Sequence, residues 1–394
     1  MSLGLALALV LAPVQVGLER VAADGGRPLR GKRVGLLAGG ASVTLDGRPA
    51  VDVLRQAGVD VRRLFAAEHG LWGASAAGEH VADGRDPSSG LPIVSLYGEK
   101  RAPEAADFAG LDALVFDLQD AGVRFYTYNG LLLRCLDAVA QAGLELVVLD
   151  RPNPLGGELL EGPEADPASP RTLLNQTPGP LVHGLTSGEL MRYVNGRRSQ
   201  PVRLTVVPMQ GWKRSMRWAD TGRPWVPPSP NLRTAEAALV YPGVALLEAT
   251  NVSEGRGSDD PFLLFGAPWL RAGELSAALS VDGLSMSTER FVPRSSPAAP
   301  DPKHRDVSCA GLRLHVTDAD RFRPYAFGLA LLAALRQRQP EFGWLDGGRS
   351  LDALLGTRRV REALEKPDGA PAILATEAAA IATFRRERQA ALLY

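Results

Sequence analysis

From about Gly31 the chain alternates short apolar runs with segments of helical periodicity, a pattern that reads as βαβ units around a parallel sheet. The runs Arg33 to Ala38, Val59 to Ala66, Leu111 to Asp117 and Leu144 to Asp150 are the expected strands. Helices are expected at Val51 to Ala57 and at Leu131 to Gly143, where Gly143 has the place of a C-cap. Thr186-Ser187-Gly188-Glu189 has capping-box spacing and predicts a helix to about Asn195. Arg203 to Pro208 reads as a further strand. Asp220 to Thr234 is a long irregular stretch crowded with Pro and Trp; Trp225 in it offers a flat face for a sugar or a plug for an interface. Beyond Gly266 the texture changes, with a helix near Leu275, a strand at Leu312 to Thr317 and a helix from about Tyr325 to Gln337. The expected class is therefore α/β, a Rossmann-like parallel-sheet domain over residues 1–265 followed by a smaller α/β C-terminal domain over 266–394.

Each expected strand runs into polar residues. Gly39-Gly40 follows the first, Glu68-His69-Gly70 the second, Asp117-Leu118-Gln119-Asp120 the third and Asp150-Arg151-Pro152-Asn153 the fourth. In open parallel sheets ligands bind beyond the carboxyl ends of the strands, so these clusters are expected to converge on one site. A second polar loop, Asn251 to Ser258, follows the apolar stretch Tyr241 to Thr250.

Composition narrows the classes. At 394 residues, with 45% hydrophobic and 22% charged, the chain has ample material for a large core. Lys plus Arg balance Asp plus Glu at 44 each, which gives no overall attraction to nucleic acid or anionic lipid. No stretch reaches the length of an integral membrane segment. The apolar run Leu3 to Pro13 is long enough for the core of a signal peptide and tips the expected compartment toward extracytoplasmic, although no Lys or Arg precedes it. Cys135 and Cys309 lack metal or redox spacing and read as small buried hydrophobes.

The chemistry is reached by exclusion. Neither a dinucleotide fingerprint nor a phosphate-binding loop follows the first strand, so no cofactor is expected. His69 and His80 lie eleven positions apart, which matches no usual ligand spacing, and no metal is expected. No Gly-x-Ser-x-Gly elbow supports a serine hydrolase. What remains is carboxylate chemistry of the kind that cleaves glycosidic bonds. Glu68, Asp117, Asp120, Asp150, Glu161 and Glu254 are the candidate acids, flanked by Arg124, Tyr126, Tyr128, Arg151 and Arg256. Any one of them alone has a salt bridge or a turn cap as its ordinary role.

Seven ordered blocks carry a family resemblance. They are Ala67 to Gly70 (AEHG), Ser95 to Gly98 (SLYG), Phe116 to Tyr128 (FDLQDAGVRFYTY), Leu149 to Gly157 (LDRPNPLGG), Glu161 to Pro163 (EGP), Pro228 to Asn231 (PSPN) and Ser253 to Gly257 (SEGRG). Together, over nearly the whole chain, they resemble the NamZ-type exo-β-N-acetylmuramidases. The resemblance implies release of N-acetylmuramic acid from the non-reducing end of peptidoglycan-derived disaccharide or glycan fragments, without a cofactor. It implies Glu68 as a catalytic carboxylate. We expect Glu68 to act as general acid, oriented by His69, with Glu161 preferred as the second acid ahead of Asp120, Asp150 and Glu254. His69, Asp120, Arg124, Tyr126, Tyr128, Asp150, Arg151, Asn153, Asn231, Glu254 and Arg256 are the expected substrate-binding residues. Since the lactyl group of muramic acid is an anion, Arg124, Arg151 or Arg256 is expected to read it. Where the family usually carries an Asn-Pro-Thr-Gly-like turn after the first strand, this chain has Gly39-Gly40-Ala41-Ser42-Val43. Two rival readings are a non-catalytic receptor for cell-wall fragments and an esterase or amidase acting on envelope polymers.

Overall fold

The computed structural model describes residues 12–73 and 75–394. The apolar run beginning at Leu3 lies, as far as Leu11, outside the described residues. A seven-stranded sheet is built from β1 (Arg33–Ala38), β2 (Asp60–Ala66), β3 (Gly84–Arg85), β4 (Pro92–Ser95), β5 (Ala113–Asp117), β6 (Glu145–Leu149) and β7 (Arg203–Val207) in the order β3-β4-β2-β1-β5-β6-β7. All neighbours pair in parallel except β3 with β4. The chain works outward from β1 in one direction and then returns to work outward in the other. The order therefore reverses between β1 and β5, the position where such sheets open a crevice.

Its central strands β1, β5 and β6 carry almost continuous apolar runs because both faces are covered. On one face α1 (Gly17–Ala23) and α2 (Ala50–Gln56) pack against Val34, Leu36 and Leu64. Leu37, Phe65, Leu114 and Phe116 point to the other face, under α3 (Thr127–Ala142) and α4 (Ser187–Asn195). The two helix signals of the sequence are seen in detail: Gly143 takes the left-handed conformation at φ 68° after α3, and the hydroxyl of Thr186 accepts from Glu189 N at the start of α4. Gly188 in α4 is a close-approach position, since a Cβ there would meet Val206 and the Asp150 carboxyl within 3 Å.

The rest of the chain forms α5 (Ala235–Val244), β8 (Leu264–Ala267), α6 (Ala272–Ala278), β9 (Leu284–Phe291), β10 (Cys309–Val316), α7 (Pro324–Arg338), α8 (Arg349–Leu355), α9 (Arg359–Leu364) and α10 (Gly369–Glu387). Here β8, β10 and β9 make a small antiparallel sheet. The junction expected after residue 265 falls inside β8. One apolar core runs from Phe116 of the large sheet to Leu312 of the small one, so the two sheets are tied by shared burial. Both cysteines are free and buried. Trp225 packs edge-on against Trp218 at 4.9 Å and donates its indole N–H to the Leu232 carbonyl at 2.9 Å, which makes it a plug. No helix among the described residues is long and apolar enough to cross a membrane.

Candidate functional site

The register aligns Ala38 of β1 with Ala66 of β2 and Asp117 of β5, so the segments that follow these strands leave the sheet side by side at the reversal point. After β2 the backbone turns through two successive left-handed residues, His69 at φ 71° and Gly70 at φ 75°. For a non-glycine residue this costs roughly 1–2 kcal/mol, and His69 is held there by a 2.9 Å hydrogen bond between its Nδ1 and the Ser75 carbonyl. Burial lowers the His69 pKa, which favours the neutral ring.

The turn sets Glu68 against the first turn of α3. Glu68 Oε1 accepts from Gly78 N at 2.9 Å and Oε2 from the Thr127 hydroxyl at 2.7 Å. The Tyr128 hydroxyl lies 3.2 Å from the Glu68 carbonyl and 2.9 Å from that of Pro228, bringing the loop that holds Asn231 to the same place. On the β1 side, a Cβ on Gly40 would stand 2.8 Å from the Trp72 carbonyl, so the Gly39-Gly40 turn lets the loop after Glu68 close down on it.

Asp120 lies beyond β5 in a dry setting. Its Oδ2 accepts from Gly122 N at 2.7 Å, while Oδ1 is buried without a partner among the described residues. Burial pushes its pKa up to about 7, so a substantial fraction is protonated at neutrality. Its negative form and that of Glu68 both bear on Tyr126, Tyr128 and Tyr241. These rings pack edge-on, 4.9 Å between Tyr126 and Tyr128 and 6.2 Å between Tyr126 and Tyr241. The Tyr126 hydroxyl and Asn231 Oδ1 are likewise buried without partners; Asn231 Nδ2 donates to the Ala298 carbonyl at 2.7 Å. A buried polar atom without a partner is unusual in a folded protein.

From the other sheet, the loop after α5 brings in Glu254 and Arg256. Arg256 holds Glu248 at 2.7 Å and Glu254 at 3.2 Å, and Lys303 holds Glu254 at 3.0 Å. Burial alone would raise the Glu254 pKa, but Lys303 and Arg256 together keep it below the usual range. The charge of Arg256 is felt at His69.

Glu68, His69, Asp120, Tyr126, Tyr128, Glu254 and Arg256 are thus gathered at one place, with Asn231 on an adjoining loop. The other expected residues serve different ends. Arg124 is fully buried and donates to the carbonyls of Pro163, Gly179 and Leu355. Asp150 accepts from the Thr186 hydroxyl, Gly188 N and the Tyr394 hydroxyl, tying α4 and the last residue to the sheet. Burial first, against those hydrogen bonds, puts its pKa at about 6. Asn153 accepts from Leu155 N and donates to the Leu185 carbonyl. Arg151 is paired through two contacts of 2.7 and 2.9 Å with the buried Asp117. Glu161 accepts from Tyr325 N at 3.1 Å at the start of α7, and shares no hydrogen-bond partner with Glu68 among the described residues. Three neighbours of the site were not singled out by sequence: Thr127, Tyr97 and Gly78. Tyr97 belongs to the SLYG block, and that was the available signal for it.

Two family models match the chain. That for the N-terminal part of exo-β-N-acetylmuramidase NamZ covers residues 34–236, and that for the C-terminal part covers 239–394. The chain is 37% identical over 386 residues to the peptidoglycan β-N-acetylmuramidase NamZ of Bacillus subtilis (strain 168), an alignment that spans 97% of this chain and 91% of that protein. Two crystal structures of DUF1343 family proteins from Bacteroides fragilis NCTC 9343 have the same fold. One superposes with a TM-score of 0.86 at 28% identity and the other with 0.78 at 29%; in each case the match covers 97% of this chain and 99% of the other.

Proposed function

The chain belongs to the exo-β-N-acetylmuramidase NamZ family, and from that premise we propose that it is a glycosidase that removes N-acetylmuramic acid from the non-reducing end of peptidoglycan fragments, with Glu68 as its catalytic carboxylate. The observation that carries the assignment is the setting of Glu68. It stands at the reversal point of the sheet, fixed by Gly78 and Thr127, among aromatic rings and buried polar atoms without partners. Hydrolysis of a glycosidic bond needs one carboxyl group to exchange a proton with the glycosidic oxygen and a second to activate water or attack the anomeric carbon. Glu68 takes one of these parts. Asp120 is the better second acid than Glu161: burial pushes both up to about 7, but Asp120 shares the tyrosine cluster with Glu68 whereas Glu161 lies against the start of α7. His69 keeps the turn that aims Glu68, and Tyr126, Tyr128 and Asn231 supply polar atoms for the sugar.

The test is Glu68→Gln, assayed by release of chromophore from an N-acetylmuraminide. The neutral amide keeps the shape of the carboxyl, so the melting temperature should stay close to that of the wild type. The rate should fall by roughly 10²–10⁴-fold, the usual contribution of such a group. Wild-type turnover from this variant would overturn the assignment.

A further inference from the structure

The anionic part of the substrate needs a cation, and the buried arginines nearest the site already serve the protein's own groups. Arg151 is paired with Asp117, Arg256 with Glu248 and Glu254, and Arg124 with three carbonyls. Two other arginines, one stacked on Tyr97 and one on the helix whose first residue donates to Glu68, make no ion pair among the described residues. Arg101 follows β4, and its guanidinium lies 4.0 Å over the ring of Tyr97. The Tyr97 phenol is pushed up first by burial and then by the adjoining Glu68 carboxylate, which sets Arg101 one ring away from the catalytic acid. Arg134 lies on α3 seven residues after Thr127, the residue that donates to Glu68. Seven residues are close to two full turns, so Arg134 is on the same face of the helix, about 10 Å along its axis. The side chain of an arginine spans much of that distance.

Two cations near one another and without ion pairs are unfavourable in the free protein. The half-buried Arg134 feels this, its pKa being lowered first by burial and then by Arg101. A bound carboxylate would relieve the repulsion by charge-assisted hydrogen bonds to both guanidinium groups.

We infer that Arg101 and Arg134 form an anion subsite that reads the lactyl carboxylate of the muramic acid and so sets specificity for it over N-acetylglucosamine. The inference rests on the proposed function, since it takes the sugar at Glu68 to be muramic acid. On such a sugar the lactyl ether stands at C3, two ring carbons from the scissile bond, so its carboxylate lies to the side of Glu68 rather than on it.

The experiment uses R101Q, R134Q and the double variant with two chromogenic substrates, the N-acetylmuraminide and its lactyl methyl ester, which keeps the shape and removes the charge. The double variant should raise KM for the acid roughly 10- to 100-fold, the worth of paired charge-assisted bonds, and leave KM for the ester within about twofold. Equal losses on both substrates, or none on either, would overturn the subsite. Free N-acetylmuramic acid and N-acetylglucosamine are titrated calorimetrically into the same proteins, which separates the two readings. Wild-type protein that cleaves neither substrate yet prefers the acid sugar, a preference lost in the double variant, would overturn the hydrolase and keep the subsite. No preference in the wild type, or an unchanged one in the variant, would overturn the subsite whatever the activity. R101Q alone, at an exposed position, serves as the well-folded variant.

Discussion

Glu161 and Glu377 face one another where α7 and α10 meet the large domain, and replacing the first with Gln gives a test that separates architecture from catalysis. Glu161 Oε2 accepts from Tyr325 N, the Tyr325 hydroxyl donates to Glu377 Oε1 at 2.9 Å, and Glu377 Oε2 is buried without a partner among the described residues. Arg323 faces Glu161, while Arg359 and Arg124 face Glu377. Burial outweighs these cations and pushes both carboxyls from 4.5 up to about 7. A group whose pKa is higher folded than unfolded contributes stability that is full below the unfolded value and is lost as pH rises through the folded one. For a rise of this size the loss is about 3 kcal/mol per carboxyl, at roughly 1.4 kcal/mol for each pKa unit. The amide oxygen introduced by E161Q could still accept from Tyr325 N, and the amide does not titrate. The prediction for E161Q is stability within about 1 kcal/mol of the wild type at low pH and an advantage of about 2–3 kcal/mol in alkaline buffer. Urea denaturation of both proteins across that pH span measures the difference directly, because contributions common to the two cancel. Parallel stability curves would refute the argument. Release of sugar by E161Q should stay within a few-fold of wild type, and a loss of catalytic size would make Glu161, not Asp120, the second acid.

The Asp120 carboxyl, pushed up to about 7 by burial, predicts that a rate dependent on its protonated form declines as pH rises through that value; D120N should lower kcat by roughly 10²–10⁴-fold and erase that limb of the pH profile of any residual activity. An unaltered limb would assign it to another group. For the Asp117–Arg151 pair, R151M leaves a buried aspartate without its cation and should cost about 3–5 kcal/mol of unfolding free energy. D117N/R151M should recover much of that loss in the same denaturation experiment, and failure to recover would mean that the Arg151 contact to the Val43 carbonyl, not the charge, was what mattered.

What could be read in the chain beforehand was set by local rules. Leu111 to Asp117 reads as a strand because a strand buried on both faces is nearly continuously apolar, and the structure has β5 over Ala113–Asp117, buried at every position. Thr186 and Glu189 announce α4 because a capping box lies within four residues. Tyr241 to Thr250 was harder, being apolar all round with Pro242 inside; it lies largely within α5 and the tight turn after it, and neither helical nor strand periodicity marks it. The placing of Glu68 and Asp120 beyond the ends of β2 and β5 was legible because the carboxyl edge of a parallel sheet is fixed by topology, whereas Asp117, Asp150, Arg151 and Asn153 at the same edge turn to structural partners.

The roles of individual acids and arginines were not legible, and the reason is physical. Glu161 and Asp120 are alike as residues. One is spoken for by a backbone amide 164 positions along the chain and the other by the amide of Gly122, two residues on. Arg124, Arg151 and Arg256 stand in the distinctive blocks, yet their guanidinium groups are taken by Leu355, Asp117 and Glu248. Arg101 and Arg134 stand in no block and make no ion pair among the described residues. Pairing is decided by long-range contacts, so a charge available to a ligand can be recognised only by subtracting those that the fold has already neutralised. That subtraction shifts the search for the carboxylate reader from the residues most distinctive in sequence to those least satisfied in space. Burial and charge repulsion make an unsatisfied guanidinium unfavourable, and a substrate carboxylate is the group whose binding would remove that cost.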